Sequence, residues 1–562
     1  MSGEILAIWA HPHLPLLLVA GVAIFAGTFG AGIFQRLRIP HVVAYIAIGL
    51  LVGRSGLGVV DGAALNKLLP FNAFALGVIG FMIGGELRRE VFKKYGRQFI
   101  KILLAEGLGA FVMVGLLVGA MAMVVTGRPV TSVALGLLFG ALASATAPAA
   151  TVSVLWEYKA RGVLTTMTYA IVALDDALAV ILFSVCASLV AKLMGQGGVG
   201  LLRPLGQAAY ELVGGAGLGA AAGAGLNFLL RRTRDYNKAF PFILSALLLL
   251  IGVGTALKVD TILAAMALGA TLVNLAPRRS GGAFEIVERF APPVYVLFFV
   301  MVGASLDIRG MPAWMWGLAL PYVIGRTAGK MLGANFGARL AKAAPAVRKY
   351  LGLCLFSQGG VAVGLSIVAS QRFAGPNGAA IITIIAVTTF IVEILGPPFV
   401  KLAIQRAGEA GLNVTEEDLM GSYRVGDMVD RESPAFAENT TVASMLRTIA
   451  GTDATCYPVT NADKKLAGVI RLQELKESFG GEGLADWLVA LDVMQPVPDT
   501  ITEDAPLAEA VARMREQQLD YLPVVKTDDN SILVGMLELR AVNRALTQEV
   551  LRRQRLADGE AT

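Results

Sequence analysis

Up to Lys401 this chain is a succession of long apolar runs separated by short polar loops, and that pattern restricts the fold before any single residue is weighed. A helix needs roughly 20 mostly apolar residues to cross a bilayer, where lipid offers nothing to an unpaired backbone N–H or C=O. Thirteen segments qualify: 14–35, 39–53, 71–87, 99–125, 131–157, 165–192, 205–230, 239–257, 261–275, 290–307, 313–338, 350–370 and 379–403. Charged residues are 16% of the chain, against about 25% in soluble domains. The expected fold is an α-helical membrane bundle over residues 1–404. A polar linker, 405–422, leads to a soluble α/β part in two copies, 423–478 and 490–548, and a tail, 549–562.

The net charge of +6 is not a nucleic-acid signal, because the excess sits at loop ends. Alternate loops differ sharply in Lys and Arg: one set holds Arg88, Arg89, Lys93, Lys94 and Arg231, Arg232, Arg234, while the other holds isolated residues such as Arg54 and Arg128. The rich set is expected on the cytoplasmic side, which puts the N-terminus outside and the C-terminal domain in the cytosol of a cell bounded by that membrane. No basic stretch precedes the first run, so it reads as a retained helix rather than a signal peptide. Cys186, Cys354 and Cys456 are far apart, and His11, His13 and His41 show no HExxH spacing, so neither a disulfide frame nor a metal cluster is indicated.

Asp175 and Asp176 stand side by side near the middle of the run 165–192. A charge at that depth costs about 2.5–3.5 kcal/mol on insertion scales, and two adjacent carboxylates repel. Such a pair calls for a counter-charge, a cation or a proton. Two other runs carry helix breakers mid-way: Ser144-Ala145-Thr146-Ala147-Pro148 in the fifth and Ser357-Gln358-Gly359-Gly360 in the twelfth. Breaks at matching places of two halves mark an inverted-repeat transporter site, so spans four to six and eleven to thirteen form the two repeats. At about 1.5 Å per helical residue, Asp175, Ala147, Gln358, Lys330 and Glu393 lie at similar distances from one side. Lys330 either joins that cluster or reaches for the interface. Arg326 lies one turn deeper and needs a partner, for which Glu393 is the expectation. Glu86, Glu106 and Asp307 are expected at interfaces, and Glu211 has no nameable partner.

Several stretches together resemble the cation:proton antiporter superfamily, with the sodium/proton-antiporter fold. They are RLRIPHVVAYIAIGLLVG at 36–53, FMIGGEL at 81–87, LFFVMVGASLD at 297–307, SQGGVA at 357–362 and VEILGPP at 392–398. The resemblance implies a homodimer in which spans one to three and eight to ten dimerise while a six-helix core moves past them as an elevator. It implies Asp176 as the ion-binding carboxylate and Asp175 as its companion, salt-bridged to Lys330. Relatives with an Asp-Asp pair and a lysine tend to be electrogenic, although Arg326 nearby blurs the pattern. Many sodium-selective relatives have Ala-Thr-Asp-Pro where this chain has Ala145-Thr146-Ala147-Pro148, so a third carboxylate ligand is missing here. Hard oxygen ligands at Thr146 and Asp176 suit sodium or potassium, and proton and cation then compete for one site. No phosphate loop GxxxxGK[ST] occurs, so coupling needs no nucleotide and no cofactor is expected for transport. The chain is not expected to be an enzyme.

In the soluble part, DVMQP at 492–496, ITEDAPLAEA at 501–510, YLPVV at 521–525 and LVGML at 533–537 resemble a CBS motif. A second copy runs through VGDMV at 425–429, TTV at 440–442, YPV at 457–459 and LAGVI at 466–470. A tandem CBS module implies an adenine nucleotide as regulator, but the aspartate that commonly holds the ribose is missing from Arg471-Leu472-Gln473-Glu474 and Glu538-Leu539-Arg540-Ala541. A purely dimerising module is the other reading. For the whole chain, the alternative to an antiporter is a CBS-regulated ion channel. It is disfavoured because no GSGIP or GKxGP filter sequence occurs.

Overall fold

The computed structural model describes residues 15–36, 40–53, 55–58, 60, 65, 67–194, 202–232, 236–276, 280–305, 313–372, 376–452, 454–473, 487–529 and 531–558. They form two compact units, Met1–Gly411 and Leu412–Thr562. Asp307 and Glu474 lie outside the described residues.

The first unit is helical. Its elements are α1 (Leu16–Arg36), α2 (His41–Val52), α3 (Leu69–Glu86), α4 (Arg89–Thr126), α5 (Pro129–Ala143), α6 (Pro148–Glu157), α7 (Val163–Leu193) and α8 (Leu202–Arg232). They continue with α9 (Tyr236–Leu257), α10 (Thr261–Leu275), α11 (Ser280–Ala304), α12 (Ala313–Leu340), α13 (Pro345–Tyr350), a 3-10 turn (Leu351–Leu355), α14 (Gly360–Arg372) and α15 (Pro376–Ala407). Among the described residues, each of the thirteen expected segments overlaps a helix or a broken pair. Nine described segments are long and apolar enough to cross a membrane by length and composition. Helix α4 ends where Gly127 takes a left-handed φ of 62° and returns its N–H to Met123 O, a conformation that glycine adopts without a Cβ penalty.

Small residues decide which helices touch. Gly325, Gly329, Gly333 and Gly337 recur every fourth residue along one face of α12. A Cβ at Gly329 would stand 2.6 Å from Gly109 O, and one at Gly333 would stand 2.4 Å from Ala105 O. Backbone therefore lies on backbone between α12 and α4, the small-xxx-small mode of helix packing in lipid. The same kind of contact joins α4 to α5, where a Cβ at Gly136 would meet Gly115 O at 2.6 Å. It also joins α2 to α11 through Gly49 and Gly303, and α3 to α10 through Gly84 and Gly269. Two packed groups result: α4–α7 with α12–α15, and α1–α3 with α8–α11. Among the described residues, every helix glycine whose added Cβ would meet another helix meets one in its own group.

The second unit holds two three-stranded sheets of the same design. In the first, β1 (Phe436–Ala437) runs parallel to β2 (Cys456–Thr460), which pairs antiparallel with β3 (Leu466–Arg471). In the second, β4 (Ile501–Thr502), β5 (Tyr521–Val525) and β6 (Leu533–Glu538) repeat that order. The registers match as well: Phe436 lies opposite Val459 and Ile501 opposite Val524. The helices Val442–Ile449 and Leu507–Glu516 each bury one apolar stripe against their sheets.

Candidate functional site

Pro148 explains the first break. It lacks an N–H and disfavours helical geometry in the residue before it, and Ala147 accordingly sits at φ −74°, ψ 110°. Helix α5 stops at Ala143 and α6 restarts at Pro148. Residues 356–359 make the corresponding gap between the 3-10 turn and α14. The two gaps lie against each other. Ala147 N–H donates to Ser357 O at 2.9 Å, Gln358 Nε2 donates to Leu142 O at 2.8 Å, and a Cβ at Gly359 would stand 2.9 Å from that of Ala147. Gly359 is thus small because the other break passes beside it.

Each break frees carbonyls at a helix C-terminus, the negative end of the helix dipole. Two cations from α12 answer them. Arg326 donates to Phe356 O through Nη1, and through Nη2 to Ala145 O at 2.8 Å and Ser357 O at 3.0 Å. Lys330 Nζ donates to Ser144 O at 2.6 Å. Arg326 and Lys330 are both fully buried. The expected pairing of Arg326 with Glu393 is not found: all three hydrogen bonds go to carbonyls, and Glu393 is buried elsewhere on α15. The guanidinium fork spreads its donors over carbonyls exposed by both breaks, which need a donor and not a second acceptor.

Lys330 also holds the acids. Its Nζ lies 2.8 Å from Asp175 Oδ2, 2.8 Å from Glu106 Oε2 and 2.7 Å from Thr146 Oγ1, and the Thr146 hydroxyl donates to Asp175 Oδ2. The structure therefore brings Asp175, Thr146 and Lys330 into one cluster, with Lys330 turned inward rather than toward an interface. Glu106 belongs to the same cluster and is fully buried, which corrects the interfacial placement. Helix α4 begins at Arg89 rather than at residue 99, so Glu106 stands well inside it. The small residues Ala105 and Gly109 were the available signal, since they let α12 approach closely enough for Lys330 to reach.

Asp176 points elsewhere. It lines a small cleft between the two helix groups with Pro148 and Ala173 on one side and Leu212, Asp260 and Met266 on the other. Asp260, which the sequence reading passed over, caps α10 by accepting from the N–H groups of Ile262 and Leu263 at 3.0 and 2.9 Å. Glu211 accepts from Gln207 Nε2 at 2.9 Å. Asp176 Oδ1 at the cleft, and Asp175 Oδ1, Glu106 Oε1, Gln358 Oε1, Ser357 Oγ and Arg326 Nε at the crossing, are buried with no hydrogen-bond partner. Buried polar atoms are rarely left so, and the orphaned carboxylate oxygens are suited to protons, cations or water. Among the described residues no cluster of three or more His, Cys, Asp and Glu is arranged to hold a metal.

The start of α7, the helix that carries Asp175 and Asp176, is fastened from the far end of the unit. The Glu409 carboxylate accepts from Leu164 N, Thr165 N and Thr165 Oγ1, each at 2.7 Å. A Cβ at Gly162 would meet Glu409 Cδ at 2.3 Å, so only glycine fits there.

Comparison with known proteins agrees with this geometry. The family model "Sodium/hydrogen exchanger, transmembrane" matches residues 20–402, and the CBS domain model matches 425–481 and 489–548. Two structures of the sodium proton antiporter MjNhaP1 from Methanocaldococcus jannaschii share the fold. The structure at pH 8 is 19% identical with a TM-score of 0.53, covering 70% of this chain and 98% of that one. The electron-microscopy structure is 20% identical with a TM-score of 0.56, covering 69% of this chain and 95% of that one. A search of curated proteins finds no match.

Proposed function

Because the chain belongs to the transmembrane sodium/hydrogen exchanger family, we propose that it is a multi-pass secondary antiporter exchanging sodium or potassium for protons, with Asp176 as the exchanging carboxylate. The observation that carries this is the division of labour between adjacent acids. Asp175 is held by Lys330 and Thr146, whereas Asp176 faces the cleft with a buried, unpartnered oxygen. A proton or a monovalent cation each completes that oxygen and removes the charge, so the two compete and the flow of one drives the other. Thr146 and the break beside it are the further oxygen ligands. Lys330 and Arg326 balance charge at the crossing, and Pro148, Gln358, Gly359 and Gly360 hold the breaks open. Glu393 is a buried acid without an assigned step.

The packing supports a movement of elevator type. Glycine-lined, backbone-to-backbone contacts lie within each helix group, and the cleft with Asp176 lies between the groups. The group α4–α7 with α12–α15 therefore slides as a body past the other, an elevator that carries Asp176 from one side to the other; α1–α3 and α9–α11 make the homodimer contact. The Lys and Arg bias puts the N-terminus outside the plasma membrane and the CBS repeats in the cytosol. Those repeats bind an adenine nucleotide and regulate exchange, to the extent that the ligand prefers one of two conformations. Exchange is electrogenic.

Purified protein in liposomes with a trapped pH dye tests the reading. A sodium or potassium pulse should move protons out of the lumen against their gradient. A passive cation leak without proton movement would overturn it in favour of a channel.

A further inference from the structure

Lys330 has more oxygens around it than protons to give. An ammonium has three donors, yet Glu106 Oε2, Asp175 Oδ2, Ser144 O and Thr146 Oγ1 all stand within 2.6–2.8 Å of Nζ. Two ionised carboxylates and one ammonium would leave a net negative charge among the groups in contact, all at most 1% exposed, because the buried Arg326 guanidinium a turn away spends its hydrogen bonds on carbonyls. Burying an uncompensated charge is what proteins avoid most strongly. Meanwhile the second oxygen of each acid, Glu106 Oε1 and Asp175 Oδ1, is buried without a partner. The two carboxyls meet on one ammonium, each with an oxygen 2.8 Å from Lys330 Nζ. Asp175 Oδ1 faces α4, 3.9 Å from where a Cβ at Gly107 would stand, one residue from Glu106.

We propose that Glu106 and Asp175 share one proton between these free oxygens, so that with Lys330 they form a neutral buried triad and a second proton store beside Asp176. One proton satisfies both orphan oxygens and cancels the excess charge at once. The charged groups around the pair are Lys330 and, a turn away, Arg326 from α12, while Asp176, next to Asp175 on α7, lines the cleft; Thr146 and Ser144 face Lys330 from the break. The inference rests on the exchange reading for its consequence. When Asp175 turns an oxygen toward a cation at Asp176, its hydrogen bond to Glu106 breaks and the shared proton leaves. The now ionised Glu106 stays paired with Lys330, and the lysine keeps its charge throughout. Two protons, one from Asp176 and one from the pair, then leave for each cation that enters. Glu106 is thus the residue that makes exchange electrogenic.

Infrared spectroscopy of the full-length protein in lipid tests the triad without reference to transport. At neutral pH the wild type should show the carbonyl stretch of protonated carboxyls. One component of that band should be lost in Glu106→Gln and the same component in Asp175→Asn, each of which leaves one carboxylate opposite Lys330 and no proton to share. It should survive in Asp176→Asn, which removes only the Asp176 component. That component unchanged in either of the first two variants, or absent from the wild type, overturns the shared proton. Should Glu106→Gln not be recovered from membranes, Asp175→Asn decides alone. Transport tests the consequence: in Glu106→Gln the coupling ratio from reversal potentials should fall from about two protons per cation to about one. A ratio unchanged from the wild type would overturn the role assigned to Glu106 while leaving antiport itself intact.

Discussion

Replacing Lys330 by methionine tests whether the centre of the bundle is held by charge or by shape. Methionine is apolar, unbranched and similar in length, so the packing of α12 on α4 through Gly329 and Gly333 is preserved. What disappears is the cation that binds Asp175 and Glu106 at 2.8 Å each and caps Ser144 O at 2.6 Å. Breaking a buried pair by removing one partner costs about 3–5 kcal/mol, because the other charge is left uncompensated. The lost bond to Ser144 O leaves a buried acceptor open, at about 1–3 kcal/mol more. Lys330→Met should therefore destabilise the protein by about 3–5 kcal/mol or somewhat more, against about 1 kcal/mol for a volume-conserving apolar swap. The discriminating step is rescue. Adding Glu106→Gln and Asp175→Asn to Lys330→Met removes the stranded charges with isosteric amides and should recover most of the loss. Thermal unfolding in one detergent at one pH, with monodispersity checked by chromatography, compares the variants. A triple variant as unstable as the single one would refute the charge argument and assign the cost to packing.

Four other expectations can be checked in parallel. Gly329→Ala places a methyl 2.6 Å from Gly109 O and should cost about 1–3 kcal/mol as an overpacked contact, whereas Gly21→Ala, which meets nothing within 4 Å, should be neutral in the same unfolding assay. Glu409→Ala unpairs two backbone N–H groups at the start of α7 along with the Thr165 hydroxyl. A loss of about 2–4 kcal/mol is expected, with part of it retained in Glu409→Gln; a neutral result would mean that water replaces the carboxylate. In the second unit, hydrogen bonds from Arg552, reinforced by Arg553, hold the Glu549 carboxyl down to about 2. A lowered folded-state value means that its stabilisation is present above the ordinary carboxylate range and is lost as pH falls toward that value. The unfolding gap between wild type and Glu549→Gln should thus narrow below about pH 4.5 and not above it. Titration with AMP or ATP should give saturable heat and a changed exchange rate; heat without a change in rate would confine the CBS repeats to binding.

The broken-helix bundle was legible because charge and helix breakers are conspicuous in apolar sequence. Asp175, Asp176 and Pro148 each violate a local rule, and violations at matching depth point to one place. The CBS repeats were legible for a different reason: chemically similar residues such as Phe436 and Ile501 recur at an offset of 65 residues in the first two strands and 67 in the third, and the sheets repeat with them. What stayed hidden depends on partners that a sequence does not display. Glu106 reads as interfacial because the apolar run starts ten residues after the helix does. The close glycine contacts of α4 with α12, which bring it to Lys330, are made only in the fold. Glu393 reads as the partner of Arg326 because carboxylates are the visible anions in a sequence, whereas the carbonyls of Ala145, Phe356 and Ser357 become anion-like only once two helices break beside each other. Asp260 reads as an ordinary helix cap until the fold sets it across the cleft from Asp176.

The most direct test is the current that a cation jump evokes on a solid-supported membrane carrying wild-type protein or Asp176→Asn. Exchange through this carboxylate requires a sodium or potassium current in the wild type. It requires none in the variant at any pH, with both proteins equally folded and incorporated. A variant that keeps the wild-type current would show that the exchanging group is another residue, and the division of roles between Asp175 and Asp176 would fall with it.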